Sequence, residues 1–423
     1  SNGVVRMKRP HIYFHIDVNS AFLSWSSLLH SGEEGYPEDI QKIPAAIGGN
    51  EQNRHGIVLA KSVEAKRYGV CTGEPLARAR EKCPGLLVFP PDYDQYVRCS
   101  RKMMQLLAEY SPCVEQYSID EAFVDMTGTE KLFGEPLECA EKIRMRIREE
   151  LGFTVNIGIS TNRLLAKMAS DFEKPDKVHT LFPEEVPEKM WPLPVRELFG
   201  IGRSTEKKLE ELGIHTIGEL AQSDREALIR NMKSQGAMIR DYANGIESVP
   251  MVSKGVENKG YGNSVTLPSD LTEMEDVRLV LLSLCETVAA RLRMDQMKGS
   301  VVTVQLVDSS FRRWSHQENL GHLTDSTNEI YASACRLLKE MWKNRPVRLI
   351  GVQVSKAAKE EYHQMTLFGE AETEKQRKLD AAIDAIREKY GEDAIKRTSF
   401  LNSQYSHMSK GLNQAKRKKQ DKM

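Results

Sequence analysis

Two acidic residues stand side by side in Tyr117-Ser118-Ile119-Asp120-Glu121-Ala122-Phe123, inside a stretch from Val114 to Met126 that otherwise reads as two short apolar strands. Neighbours along a strand point to opposite faces of its sheet, so Asp120 and Glu121 cannot both face the core while the strand stays regular. A turn or bulge at this point lets both reach one side. A third acid ends a strand of its own. In His11 to Asp17, the apolar Ile12, Phe14 and Ile16 alternate with Tyr13, His15 and Asp17, which leaves Asp17 on the other face. If the three carboxylates meet, each close pair repels by about 4 kcal/mol at an effective dielectric of 20. A divalent cation removes that cost. Mg²⁺ takes oxygen ligands, and two such ions roughly 3.5–4 Å apart clamp the attacking and leaving oxygens of a phosphoryl transfer. For either segment alone, a helix-capping Asp17 or a solvated hairpin turn is the plainer account.

The surrounding chain supplies helices for one sheet. Ala21 to Leu29 has a short apolar helix pattern, and Ile57 to Ala60 is a strand before a helix at Ser62 to Tyr68. Longer helices are predicted over Tyr93 to Tyr110 and Pro136 to Leu151. Thr154 to Ile159 is a strand, followed by a helix that Ser160 or Thr161 caps and that runs through Ser170. This order implies an α+β layer with helices packed on one sheet. Pro175 to Pro194 closes the unit, and Leu198 to Ala221 is small and helical. Val249 to Gly262, with Gly255, Gly260 and Gly262, reads as a linker. A second α+β unit follows: a strand to Leu267, helix Glu273 to Met297, strands Ser300 to Val307 and Phe311 to His316, helix Ser326 to Trp342, and strand Val347 to Val354. Beyond Lys356 the chain reads as a polar tail holding one amphipathic helix, with Leu379, Ile383, Ile386 and Tyr390 on one face.

Three further segments carry basic or glycine signals. In Gly158-Ile159-Ser160-Thr161-Asn162-Arg163-Leu164-Leu165-Ala166-Lys167-Met168-Ala169, running on to Lys174-Pro175, Lys167 lies about two turns into a helix. There it can meet a triphosphate as a point charge; any single lysine of this kind is otherwise a surface residue. Lys66 and Arg67, at the end of Ala60-Lys61-Ser62-Val63-Glu64-Ala65-Lys66-Arg67, can approach phosphates from another side. Leu198-Phe199-Gly200-Ile201-Gly202-Arg203 places two glycines between short helices. In a helix–hairpin–helix such glycines let backbone N–H groups approach a DNA phosphate without sequence readout.

Together and in this order, these segments resemble the Y-family DNA polymerases, the DinB and UmuC group also called the ImpB/MucB/SamB family, over roughly residues 11 to 355. The resemblance implies an α+β right hand: palm at 1–26 and 87–175, fingers at 27–86, a helix–hairpin–helix thumb at 176–248, a linker at 249–262, a little finger at 263–356 and a flexible tail at 357–423. It implies translesion synthesis by nucleotidyl transfer from a dNTP to a primer 3′-OH. Asp17, Asp120, Glu121 and the Val18 carbonyl match the ligands of two Mg²⁺ ions, with Mn²⁺ as a substitute. Phe22 matches the steric gate against a ribose 2′-OH, and Lys66 and Lys167 match contacts to the triphosphate. Gly200, Gly202 and Arg203 fall in the DNA-contacting hairpin. Three positions depart from the common pattern: Asn19 for a second aspartate, Ala21 for an aromatic, and Val63 for a tyrosine, whose triphosphate contact would be lost or pass to Ser62. The Asp17-Val18-Asn19 start leans to the UmuC side. Gln364-Met365-Thr366-Leu367-Phe368 resembles the peptide by which bacterial polymerases bind the sliding clamp, with Gln364, Leu367 and Phe368 as anchors.

Size and charge bound the alternatives. A chain of 423 residues and 47.9 kDa suits about two to four domains. Its 60 basic and 60 acidic residues give no basic excess, so DNA binding requires the charges to be segregated by face. Seven cysteines without a C-x-x-C pair point to reduced thiols in a cytoplasmic protein and away from a zinc site. No apolar run reaches the roughly 20 residues of a membrane span, and a monomer is expected. The competing readings are a non-catalytic DNA-binding factor recruited by the clamp, a catalytic subunit needing accessory proteins, and a cyclase with a similar palm.

Overall fold

The computed structural model describes residues 10–30, 39–50, 56–251, 260–359, 370–405 and 407. They fall into two compact units, one holding residues up to 49 and 57–254, the other residues 50–56 and 255 onward.

In the first unit, β1 (Tyr13–Val18) is followed by β2 (Ala45–Gly48), β3 (Val58–Lys61), β4 (Leu87–Phe89), β5 (Val114–Ser118), β6 (Glu121–Asp125), β7 (Val155–Ser160) and β8 (Val178–Thr180). Five of these make one sheet in the order β5-β6-β1-β7-β8, while β3-β2-β4 make a separate three-stranded sheet. The short β2, β4 and β8 carry too few residues for a periodic signal and are not expected from sequence. β1 sits at the centre, antiparallel to both β6 and β7. Its core-facing Phe14 and Ile16 are fully buried, with Trp25, Tyr96, Ile143 and Ile157 in the same cluster.

The Arg163–Ser170 helix lies against this sheet so closely that only glycine is possible beneath it. A Cβ on Gly158 would stand 1.9 Å from the Ala166 carbonyl oxygen and 2.5 Å from the Ser170 nitrogen. The helix buries Leu164, Leu165 and Met168 in a second core with Leu198, Leu209 and Leu220 from the helical region beyond residue 183. Its cap is Asn162, whose side chain accepts the Leu165 N–H at 2.8 Å, and not Ser160 or Thr161. Ser160 is still strand, and its hydroxyl donates to the Leu181 carbonyl.

The second unit follows the expected order: β9 (Gly260–Leu271), a helix Met274–Met294, β10 (Gly299–Asp308), β11 (Arg313–Thr324), a helix Thr327–Met341 and β12 (Val347–Ser355). Its antiparallel sheet runs β11-β10-β12-β9. Val302, Val304, Leu306, Ile350 and Val352 meet both helices in one core. The alternate positions Thr303, Gln305, Ser315, Gln317 and Gln353 stay at least partly exposed. The tail expected after residue 357 is not free throughout. Glu370–Tyr390 is a helix, and it docks by its charged face. Arg293 donates to both Asp384 oxygens at 2.6 and 3.0 Å, and Glu286 pairs with Arg387 and Arg397. Asp380 and Arg387 are the buried positions, while Leu379 and Tyr390 of the expected apolar face are 52% and 67% exposed.

Candidate active site

The backbone brings the distant acids together. Asp17 and Glu121 are directly opposed across β1 and β6. Such residues share a face with Cβ atoms about 4.5–5.5 Å apart. Asp120 lies in the β5–β6 turn, outside strand alternation, and its carbonyl accepts the Val18 N–H at 3.0 Å. The register slips between Gln116 and Ser118, which is the irregularity the paired acids demand. The Ser118 hydroxyl then stands 2.7 Å from Asp120 Oδ1 and 2.9 Å from Glu121 Oε2, so one hydroxyl reaches both carboxylates.

Each acid of the opposed pair has its own lysine. Lys167 pairs with Glu121 Oε1 and also lies 5.1 Å from the centre of the Tyr117 ring. Lys174 Nζ is 2.6 Å from Asp17 Oδ2 and 3.2 Å from Asp171. Buried His15 places Nε2 3.1 Å from Glu121 Oε1 and Nδ1 2.6 Å from the Ser170 hydroxyl. The two carboxyls are driven apart in acidity. Burial raises Asp17, opposed by Lys174 and aided by the Glu121 charge. Burial also pushes Glu121 upward, but His15 and Lys167 outweigh it and hold it down at about 2. Among the described residues, no three His, Cys, Asp or Glu side chains stand together as a ready metal cluster. The donors on offer nevertheless suit a hard cation: carboxylate oxygens at the adjoining ends of β1 and β6 and in the turn beside them.

The remaining expected residues separate into two groups. Phe22, near the start of the Ala21–His30 helix, stacks on Tyr96 at 4.5 Å and meets Tyr93 edge-on at 5.9 Å, so its ring is braced. Lys66 and Arg67 are exposed at the end of their short helix, with Arg67 paired to Glu64. Ser62 is unsuited to the triphosphate role. It is 1% exposed, caps that helix at Ala65, donates to the Ile43 carbonyl and accepts from the Ala45 N–H. Gly200 has φ +90°, which favours glycine. Gly202 and Arg203 sit exposed at the start of the Arg203–Glu211 helix. Gln364, Leu367 and Phe368 lie outside the described residues. Sequence reading assigned no role to His15, Ser118 or Lys174. The first shares the alternation of Asp17, and the last stands in the quoted Lys174-Pro175 step, but neither pattern says what the side chain touches.

Comparison with known proteins decides the lineage. The impB/mucB/samB family matches residues 16–171, its C-terminal domain residues 258–367, and the IMS family HHH motif residues 183–214. The chain is 47% identical over 395 residues to DNA polymerase IV of Clostridium acetobutylicum, covering 93% of this chain and 99% of the relative. This chain belongs to the impB/mucB/samB family. DNA polymerase IV of Moorella thermoacetica is 41% identical, covering 91% of this chain and 95% of that one, and DNA polymerase IV 1 of Bacillus subtilis is 36% identical, covering 94% and 95%. Among solved structures, the Y-family DNA polymerase chimera Dbh-Dpo4(243-245)-Dbh matches with a TM-score of 0.68 and 25% identity, covering 82% of this chain and 99% of the chimera. The Asp17-Val18-Asn19 start, which leans to UmuC in sequence, thus stands in an impB/mucB/samB chain whose relatives carry the polymerase IV name.

Proposed function

We propose that this chain, a DNA-directed DNA polymerase of the Y family active in translesion synthesis, joins a paired dNTP to a primer 3′-OH at the adjoining ends of β1 and β6 beside the β5–β6 turn. The opposed register of Asp17 and Glu121, with Asp120 in the adjoining turn, carries this reading. Asp17, Asp120, Glu121 and the Val18 carbonyl would hold two Mg²⁺ ions, with Mn²⁺ as a substitute. Bound there, the ions supply charge stabilisation at the attacking and leaving oxygens. Lys167 and Lys174, now counter-ions of the carboxylates, lie where phosphates accompanying the metal would arrive. Phe22, held by Tyr93 and Tyr96, closes the sugar pocket. The chain's own contribution is positioning and electrostatics.

The right-hand division follows the same reading: palm around the five-stranded sheet, fingers around β2–β4, thumb around the Gly200–Arg203 hairpin, and a little finger in the second unit whose polar sheet face meets primer-template DNA. Recruitment to the sliding clamp through Gln364, Leu367 and Phe368, a monomeric state and a cytoplasmic setting complete it. No helix among the described residues is long and apolar enough to cross a membrane. Primer extension with Mg²⁺ and dNTPs tests the core claim. Asp120→Asn should bind primer-template normally and extend it negligibly; extension at the wild-type rate would refute the site. A Gln364→Ala/Leu367→Ala protein should lose clamp binding and keep extension.

A further inference from the structure

The departure at Asn19 has a structural counterpart at Asn156. The two side chains form a buried amide pair, 9% and 0% exposed. Asn19 Nδ2 donates to Asn156 Oδ1 at 3.2 Å. Both amides have a determined polarity, because each has backbone or hydroxyl partners of one kind. Asn19 Oδ1 accepts the Asp176 N–H and the Thr154 hydroxyl, each at 3.0 Å, so it must be the oxygen. Asn156 Nδ2 donates to the Ser170 and Glu173 carbonyls at 3.1 and 3.0 Å, so it must be the nitrogen. Its oxygen also accepts the Lys177 N–H. An aspartate at 19 would set two acceptors against each other here, and neither amide can flip without losing two bonds.

Every backbone partner of this pair beyond Ser170 lies between Glu173 and Lys177, on both sides of Lys174. The same segment is held further by Asp176, which pairs with Arg144 at 2.7 Å and Arg148 at 3.1 Å, and by His179, whose ring lies 2.8 Å from the Glu173 carbonyl. The Lys174 ammonium itself reaches Asp17. We infer that Asn19 and Asn156 are positioning residues that clamp the Glu173–Lys177 segment and so deliver the Lys174 ammonium to the proposed site as the cation for an incoming triphosphate. The inference rests on the active-site reading above. It also assigns Asn19 to second-row support of a lysine, with no metal to hold.

The test is a double-mutant cycle in primer extension with full-length protein. Asn19→Ser and Asn156→Ser each remove the amide pairing without adding charge. Each should raise KM for dNTP about tenfold and leave kcat within about twofold. Each should also speed hydrogen exchange over residues 171–177. Lys174→Ala should raise KM at least as far, and adding either serine to it should raise KM no further, because the amides act through that lysine. Asn19→Ser, at the less buried site, carries the cycle where Asn156→Ser does not fold. Effects on KM that multiply with Lys174→Ala, or unchanged exchange in the segment, would overturn the clamp. Lys174→Ala with an unchanged KM would instead sink the phosphate-contact reading beneath it.

Discussion

The two larger sheets of this protein differ in the polar groups they bury beside their apolar cores. In the first unit, all six residues of β7 are buried, and β1 is buried at four of its six positions. The burial takes polar groups with it: His15, Asn19, Asn156, Ser160 and Ser170 all lie inside. In the second unit the buried face is aliphatic, and polar residues of β10, β11 and β12 lie on the other. Buried polar groups are tolerated only when they are bonded, and a bonded network locks its members in place. The first sheet is therefore built to hold a few charges at set positions. The second presents a broad polar face.

The largest effects should come from breaking the acid pair of the first sheet. Asp17→Asn or Glu121→Gln should cut primer extension by about a thousandfold or more while primer-template binding persists, measured by single-turnover extension and fluorescence anisotropy. Next, Gly158→Ala should destabilise the first unit by about 3 kcal/mol or more, because the new Cβ meets helix backbone that cannot move aside. The matched change in the second sheet, Gly351→Ala, has as nearest neighbours the Ser264 Cβ at 3.3 Å and the Gln305 side chain at 3.6 Å, so it should cost about 1 kcal/mol or less. Urea titrations of both variants compare the two; equal losses would show that the sheets are not differently packed. Phe22→Ala should admit ribonucleotides, read as the ratio of kcat/KM for dNTP over rNTP, with unaltered discrimination counting against the gate. The smallest effect belongs to the polar sheet: Arg313→Gln should weaken DNA binding modestly and lower the slope of log K against log salt by about one. An unchanged slope would remove Arg313 from the DNA-facing surface.

A separate variant sharpens the account of the C-terminal helix. Asp384→Asn removes the charge and one of the two Asp384 acceptors that hold Arg293, which is 13% exposed, and should raise hydrogen exchange over 370–390 without altering primer extension. That helix shows the limit of local pattern. Leu379, Ile386 and Tyr390 do share a face, but the fold buries Asp380 and Arg387 because Arg293 and Glu286 wait on the Met274–Met294 helix. An apolar stripe cannot announce a charged receptor that lies about a hundred residues away.

Much of the geometry of the proposed site was legible without coordinates. Adjacent acids in an apolar hairpin require a turn, and the turn at Ile119–Asp120 with its register slip is the answer. Alternation put Asp17 on the face it occupies, and the helix–strand order of the second unit was readable because its elements are long. The register that opposes Asp17 to Glu121, the commitment of Ser62 to capping, and the buried Asn19–Asn156 amide pair were decided only in three dimensions. Local sequence sets which face a side chain takes, with a period of two or 3.6 residues. Which distant group stands opposite depends on strand register and helix docking, and these follow from packing of the whole core.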